Sequence, residues 1–284
     1  MTEPSMKLTK ITPKLAAEML AHNVRNRRSQ RVTVSHYARQ MTEGLWEVNG
    51  DAIRFAEDGT LLDGQHRLAA IVQSGMTIES WVGRGFTMDA QKTMDQQRKR
   101  TAGDILGMYG IAAGNRVAAI VRMVNRWEGG ERSIYGFTGS QAMLSAAEVL
   151  DIAQKDEIYE ESAKVQNHPD LHAMAQGRVL GSLFVLTSRV DVDLCEHFFD
   201  RLASGAGLAE NDPILTLRRY WTRAKSTRSQ AAVGITLMAG VRAWNALAEG
   251  RQLQQISWKS NDIPELSKVD WPTVDALRNS EVSG

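Results

Sequence analysis

The chain has one cysteine, Cys195, which excludes an internal disulfide framework and fits a reducing compartment. Its setting, Leu194-Cys195-Glu196-His197-Phe198-Phe199, is that of a packed core residue rather than a nucleophile. Net charge is also scarce, because 34 Lys and Arg face 33 Asp and Glu and leave a formal +1. A chain-wide attraction for nucleic acid or acidic surfaces is thereby excluded, and any such surface has to come from local clustering. No run approaches the ~20 apolar residues of a membrane span. Met1 to Lys10 is polar, without a signal-type apolar region, so the expected compartment is the cytoplasm, with no membrane partner. No internal repeat of fixed period is found.

What the chain does have is length, 284 residues at 43% hydrophobic content, enough for one large domain or two ordinary ones. Ile11 to Asn23 carries Leu15, Ala16, Met19 and Leu20 at helical spacing behind a Thr12-Pro13 start. Val32 to Gly44 repeats the pattern through Val34, Tyr37, Ala38 and Met41. Strand character follows in Ala52 to Phe55 and Thr60 to Leu62, separated by an Asp58-Gly59 hairpin turn. His66 to Gln73 is helical up to Gly75, Ser80 to Phe86 is a third strand, and Met88 to Met94 is a short helix. From about Thr101 the texture changes to long helical patterns. These are Asn115 to Trp127, Gly139 to Ala153, Val179 to Arg189, Asp191 to Leu202, Pro213 to Lys225 and Gln230 to Glu249. The fold class expected is α+β, with a small mixed domain over residues 1–105 and an all-helical domain over 106–284 that ends in a partly extended tail.

One string carries chemistry. Leu61-Leu62-Asp63-Gly64-Gln65-His66-Arg67-Leu68 is a strand end, a glycine turn and a helix start, with Asp, His and Arg inside five residues. A helix N-terminus presents unpaired N–H groups to an anion, Gly64 permits close approach, and Arg67 can grip phosphate oxygens in a fork. A polyphosphate suits such a turn. A carboxylate beside phosphate is repulsive unless it holds a divalent cation or takes a proton, so Asp63 is a candidate metal ligand or general base. His66 can donate to phosphate or carry a proton. The plainer alternative makes Asp63 a helix cap and His66 and Arg67 solvated first-turn residues.

The residues Asp63-Gly64-Gln65-His66-Arg67-Leu68-Ala69-Ala70, and the order of elements around them, resemble the ParB/sulfiredoxin-like superfamily, whose members carry a Gly-x-x-Arg turn here. The nearest likeness is to ParB-like proteins of phages and prophages, through Ile11-Thr12-Pro13, Asn26-Arg27, Tyr37-Ala38-Arg39-Gln40-Met41, Gly44-Leu45-Trp46 and Asn49-Gly50. It covers residues 10 to 105, and more loosely the remainder through Asn211-Asp212-Pro213 and Ala243-Trp244-Asn245-Ala246. The resemblance implies a ParB/sulfiredoxin-like nucleotide-binding domain that takes a nucleoside triphosphate, ATP or CTP, with Mg²⁺. Gly64, Gln65, His66 and Arg67 are then nucleotide-binding, Asp63 and His66 catalytic, and Asp63 the metal ligand. Gln65 stands where sulfiredoxins need cysteine, which excludes their chemistry. His66 stands where partition proteins carry a second arginine. A phage-encoded chain would work in the host cytoplasm.

Between Leu20 and Thr42 there is no acidic residue, while Arg25, Arg27, Arg28, Arg31 and Arg39 are present. Phosphate contact by Arg27 or Arg28 and DNA contact by Arg25 and Arg31 are weighed against a solvated connection. A further cluster, Arg98-Lys99-Arg100, follows Asp95. Arg218, Arg219, Arg223, Lys225 and Arg228 surround Tyr220 and Trp221, a mixture that suits DNA, although Leu217, Tyr220, Trp221 and Ala224 also make an ordinary buried face with a charged back. His168 and His172 have metal-binding spacing without a completing Glu, and read as surface residues. Glu157, Glu160 and Glu161 read as a solvated face. Trp46 is placed to stack on a base or to pack the core.

The leading expectation is a nucleotide-binding, DNA-associated protein with nucleotide hydrolysis as a candidate activity. Phosphotransfer to a small hydroxyl compound or a modified DNA base is the alternative from another class. A non-catalytic regulatory module is the third, and a homodimer is a candidate assembly. A ParB-like nuclease ranks lower, since no paired carboxylates suit two-metal cleavage.

Overall fold

A computed structural model describes residues 3–24, 30–94, 100–134, 144–224, 230–257, 263–272 and 274. The class is mixed α+β, with twelve α-helices and one four-stranded sheet among the described residues. The chain divides into two compact units, one within residues 1–99 and one from Arg100 onward.

In the first unit, β1 (Ser5–Ile11) precedes α1 (Pro13–Leu20). The helical start expected at Ile11 therefore lies two residues later, and the polar N-terminus is a strand. Its signal is faint because only Ile11 of β1 is buried. Thr12 caps α1 by accepting the Leu15 N–H at 3.2 Å, and Pro13 follows where no N–H is needed. After α2 (Arg31–Thr42) come β2 (Ala52–Ala56) and β3 (Leu61–Asp63), then α3 (Gln65–Ser74) and β4 (Ile78–Phe86). A 3₁₀ helix, Met88–Thr93, closes the unit. The sheet order is β1-β4-β2-β3, with β4 antiparallel to β1 and parallel to β2, and β3 antiparallel to β2.

Alternation decides which way the sheet faces. Ile53 and Phe55 of β2, Val82 of β4 and Leu61 of β3 pack with Ala16, Met19, Val34, Ala38, Met41, Leu68 and Ile71 of the three helices. Each such large side chain contributes about 1.5–3 kcal/mol. Arg54, between Ile53 and Phe55, is turned to the opposite face. This core holds α3 against the sheet, and with it the turn that opens α3.

The second unit is helical throughout its described elements. It contains α4 (Ala102–Met108), α5 (Gly114–Glu128), α6 (Ala146–Lys155), α7 (Ile158–Gln166) and α8 (Pro169–Met174). α9 (Gly177–Ser188), α10 (Val192–Ser204), α11 (Pro213–Arg223) and α12 (Gln230–Ala248) complete it. The α4 and α8 helices are too short for a clear period in sequence, and α4 is held by a Thr101/Asp104 capping box. α9 is buried on nearly all sides, from Val179 through Ser188, and packs against α5, α7, α10 and α12. Cys195 lies in this core, where its sulfur accepts from the Thr187 and Ser188 hydroxyls at 3.1 Å each. Residues 263–270 run without regular structure beside α12, held by Asn245, which donates to the Glu265 carbonyl at 2.7 Å and accepts from the Ser267 N–H at 2.9 Å. No described helix is long and apolar enough to cross a membrane.

Candidate functional site

Gly64 is the pivot between β3 and α3. Its φ of +102° is open to glycine, and a Cβ there would stand 2.8 Å from Ile53 Cγ1. The turn therefore lies directly on β2. Asp63 ends β3 opposite Arg54, and its Oδ2 accepts from Arg54 Nη1 at 2.9 Å and from Arg67 Nη2 at 3.2 Å. Its Oδ1 accepts the Gly64 N–H at 2.6 Å. Two guanidinium groups thus meet on one carboxylate oxygen at the entry to α3 and leave one positive charge in excess.

The two arginines differ in what else they do. Arg67 also donates to the Asp51 carbonyl at 2.5 Å and to the Ala52 carbonyl at 2.9 Å, and its side chain is 13% exposed. It fastens α3 to the start of β2. Arg54 makes only its bond to Asp63 among the described residues and is 27% exposed. The sequence reading missed Arg54. Its signal was the alternation Ile53-Arg54-Phe55 beside a hairpin turn, which turns Arg54 away from the core and toward β3.

The other turn residues are tied inward. Gln65 is buried and accepts from Asn23 Nδ2 through Oε1 at 3.0 Å. His66 accepts the Gln30 N–H on Nε2 at 3.1 Å, so this nitrogen is unprotonated and the ring proton sits on Nδ1. Arg25, Arg27 and Arg28 lie outside the described residues. Asn23 and Gln30, on either side of them, both bond to the first turn of α3.

The turn does not suit a protein-held Mg²⁺. Asp63 already receives three N–H donors, and a divalent cation there would face two guanidinium groups, so the donor set does not fit. Among the described residues no three His, Cys, Asp or Glu side chains form a metal-binding group. His168 and His172 are exposed, as are Glu157, Glu160 and Glu161.

The remaining basic residues are placed as follows. Arg31 opens α2 and is exposed, and Arg223 is exposed near the end of α11. Arg218 donates to the Leu202 and Ala203 carbonyls at the end of α10. Arg219 pairs with both Glu210 oxygens, at 2.8 and 3.1 Å. Leu217 and Trp221 are buried, and the Trp221 indole donates to the Thr236 carbonyl at 3.2 Å. Arg98, Lys99, Lys225 and Arg228 lie outside the described residues. Trp46 packs edge-on against Tyr37 at 5.4 Å, beside the core between helices and sheet. Comparison with known proteins returned no match: no family model, no curated protein and no solved structure is similar to this chain.

Proposed function

We propose that the first unit binds a nucleoside triphosphate, ATP or CTP, at the turn from Asp63 to Arg67, and that the chain is a ParB-like, DNA-associated nucleotide-binding protein of the cytoplasm. The observation that carries this reading is the convergence of Arg54 and Arg67 on one oxygen beside a left-handed glycine. A phosphate oxygen accepts the same charge-assisted hydrogen bonds as Asp63 Oδ2, and takes them with more negative charge. The ParB/sulfiredoxin-like architecture is part of the proposal, supported by the strand-glycine-helix turn.

The state of Asp63 favours retention of the nucleotide over turnover. A general base must be free to take a proton, and this carboxylate is held by two cations and a backbone N–H. Hydrolysis or phosphotransfer with Asp63 as the base requires its release, so these routes rank behind binding. The deciding experiment is calorimetric titration of the full chain with ATP, CTP, GTP, UTP and inorganic triphosphate, with and without Mg²⁺. Saturable binding that Arg54→Ala weakens supports the proposal. Absence of binding by any of the five at millimolar concentration removes it.

A further inference from the structure

Trp81 is a partly exposed tryptophan in the middle of a strand. It is 36% exposed, whereas Trp127, Trp221 and Trp244 are at most 5% exposed. Its indole N–H has no hydrogen-bond partner among the described residues. The register explains where it faces. Trp81 pairs with Leu8 of β1 on one side and Ala52 of β2 on the other, and Gly83 pairs with Met6 and Arg54. Since Ile53, Phe55 and Val82 point into the helix-side core, Trp81, Gly83, Arg54, Met6 and Leu8 share the opposite face. Leu8 is 42% and Met6 48% exposed, so this part of the face is apolar and open. Gly83 keeps the face low between Arg54 and Met6, because a Cβ there would meet Met6 Sδ and Phe86 Cε2 at 2.6 Å each.

Arg54 and Trp81 are therefore diagonal neighbours on adjacent strands, and the Arg54 side chain reaches away from β4, to Asp63 on β3. A guanidinium held on the β3 side of β2 and an exposed indole on its β4 side put a phosphate-binding group and a stacking surface on one face of the sheet, with the width of β2 for the sugar and phosphates of a nucleotide to span. We infer that Trp81 is the stacking platform for the base of the nucleoside triphosphate whose phosphates Arg54 and Arg67 hold. The inference rests on the proposed phosphate site. It assigns the base to a residue that the sequence reading had not considered, and away from Trp46, which lies with the opposite core. Every base has a stackable face, so a platform of this kind discriminates little between ATP and CTP.

The test separates base from phosphate. Affinities for ATP, CTP and inorganic triphosphate are measured by calorimetry for the full-length wild type, Trp81→Leu and Trp81→Phe, with folding checked by circular dichroism. The wild type is expected to bind both nucleotides about tenfold or more tighter than inorganic triphosphate, the scale of one stacked base. Trp81→Leu should abolish that ratio and leave inorganic triphosphate affinity unchanged, and Trp81→Phe should reduce the ratio partway. An unchanged ratio in Trp81→Leu overturns the inference while leaving the phosphate site standing. Should the leucine variant not fold, the phenylalanine ratio decides, and an unchanged value counts against the platform. Failure of wild type to bind any triphosphate removes the phosphate site and this inference with it. Tight binding of a single-stranded oligonucleotide without binding of either mononucleotide also overturns it, in favour of a strand-binding face.

Discussion

Arg54 reaches Asp63 across the β2–β3 pair at 2.9 Å, and this contact leaves the arginine bound to a single acceptor at an otherwise accessible position. Arg67, on the same oxygen, is held by two backbone carbonyls as well. Their substitutions should separate accordingly. Arg67→Ala is expected to cost about 2–4 kcal/mol of stability, since it leaves a buried carbonyl and a carboxylate short of donors. Arg54→Ala should cost no more than about 1 kcal/mol and weaken triphosphate binding by about 1.5–3 kcal/mol. Urea unfolding and calorimetry on both variants provide the comparison, and equal stability losses would remove the division of roles.

Asp63 sits where a ligand oxygen would sit, so it competes for the same donors. Asp63→Asn is expected to raise affinity for inorganic triphosphate and to lower stability by about 1–2 kcal/mol, because hydrogen bonds to a charged group are exchanged for neutral ones. Weaker triphosphate binding by a folded Asp63→Asn protein would contradict the competition. Phosphate release assayed alongside, with Mg²⁺ and candidate acceptors including DNA, addresses catalysis. A loss of about 10²-fold or more in the asparagine variant is the signature of a general base.

Gly64 is expected to admit no side chain. Alanine would adopt φ near +102° and press its Cβ to 2.8 Å from Ile53, which is itself packed in the core. Gly64→Ala should destabilise the first unit by about 1–3 kcal/mol through backbone strain, before any packing cost. A melting temperature equal to wild type would show that the turn tolerates the left-handed alanine.

DNA contact, where it occurs, should depend on the arginines that have nothing else to hold. Arg31 and Arg223 are exposed, whereas Arg218 caps the end of α10 and Arg219 is paired with Glu210. Arg31→Glu and Arg223→Glu should each flatten the salt dependence of DNA affinity by roughly one phosphate contact, while Arg219→Ala should leave it unchanged. The slope of log affinity against log salt, measured from ~50 mM upward, distinguishes them.

Cys195 should be unreactive in the folded chain. Burial pushes its thiol pKa up, against hydrogen bonds from Ser188 and Thr187 that pull it down, and the thiolate is the nucleophile. Alkylation by iodoacetamide at pH 8 should be undetectable under native conditions and complete in denaturant. Labelling at the rate of a free thiol without unfolding would place the sulfur in reach of solvent.

Much of the fold was legible because it is local. The Asp58-Gly59 hairpin, the helix from Gln65 to Ser74 and its glycine stop follow from turn chemistry and a 3.6-residue period that involve only near neighbours. The cysteine, Leu217 and Trp221 were legible as core for the same reason, whereas Ala224, expected on the same face, is exposed and Tyr220 half-buried. The strand Ser5–Ile11 was not, because it takes its place by pairing with β4, from Ser5 with Arg84 to Ile11 with Ile78, far along the chain, while burying a single side chain.

By itself, then, the sequence determined that a strand, a glycine and a helix meet at Gly64 with Asp63, His66 and Arg67 around it, since turn and helix-start signals are carried by adjacent residues. Tertiary structure decided what those residues hold. Asn23 reaches Gln65 and Gln30 reaches His66, Arg67 spans to Asp51 and Ala52, and Arg54 arrives from another strand. It also decided that Trp81 is exposed, because the face a strand residue occupies is set by register with its neighbours, and that Trp46, in the irregular segment after α2, packs on Tyr37. Such partners are chosen by chain segments that meet only when the core forms, and no local spacing encodes that choice.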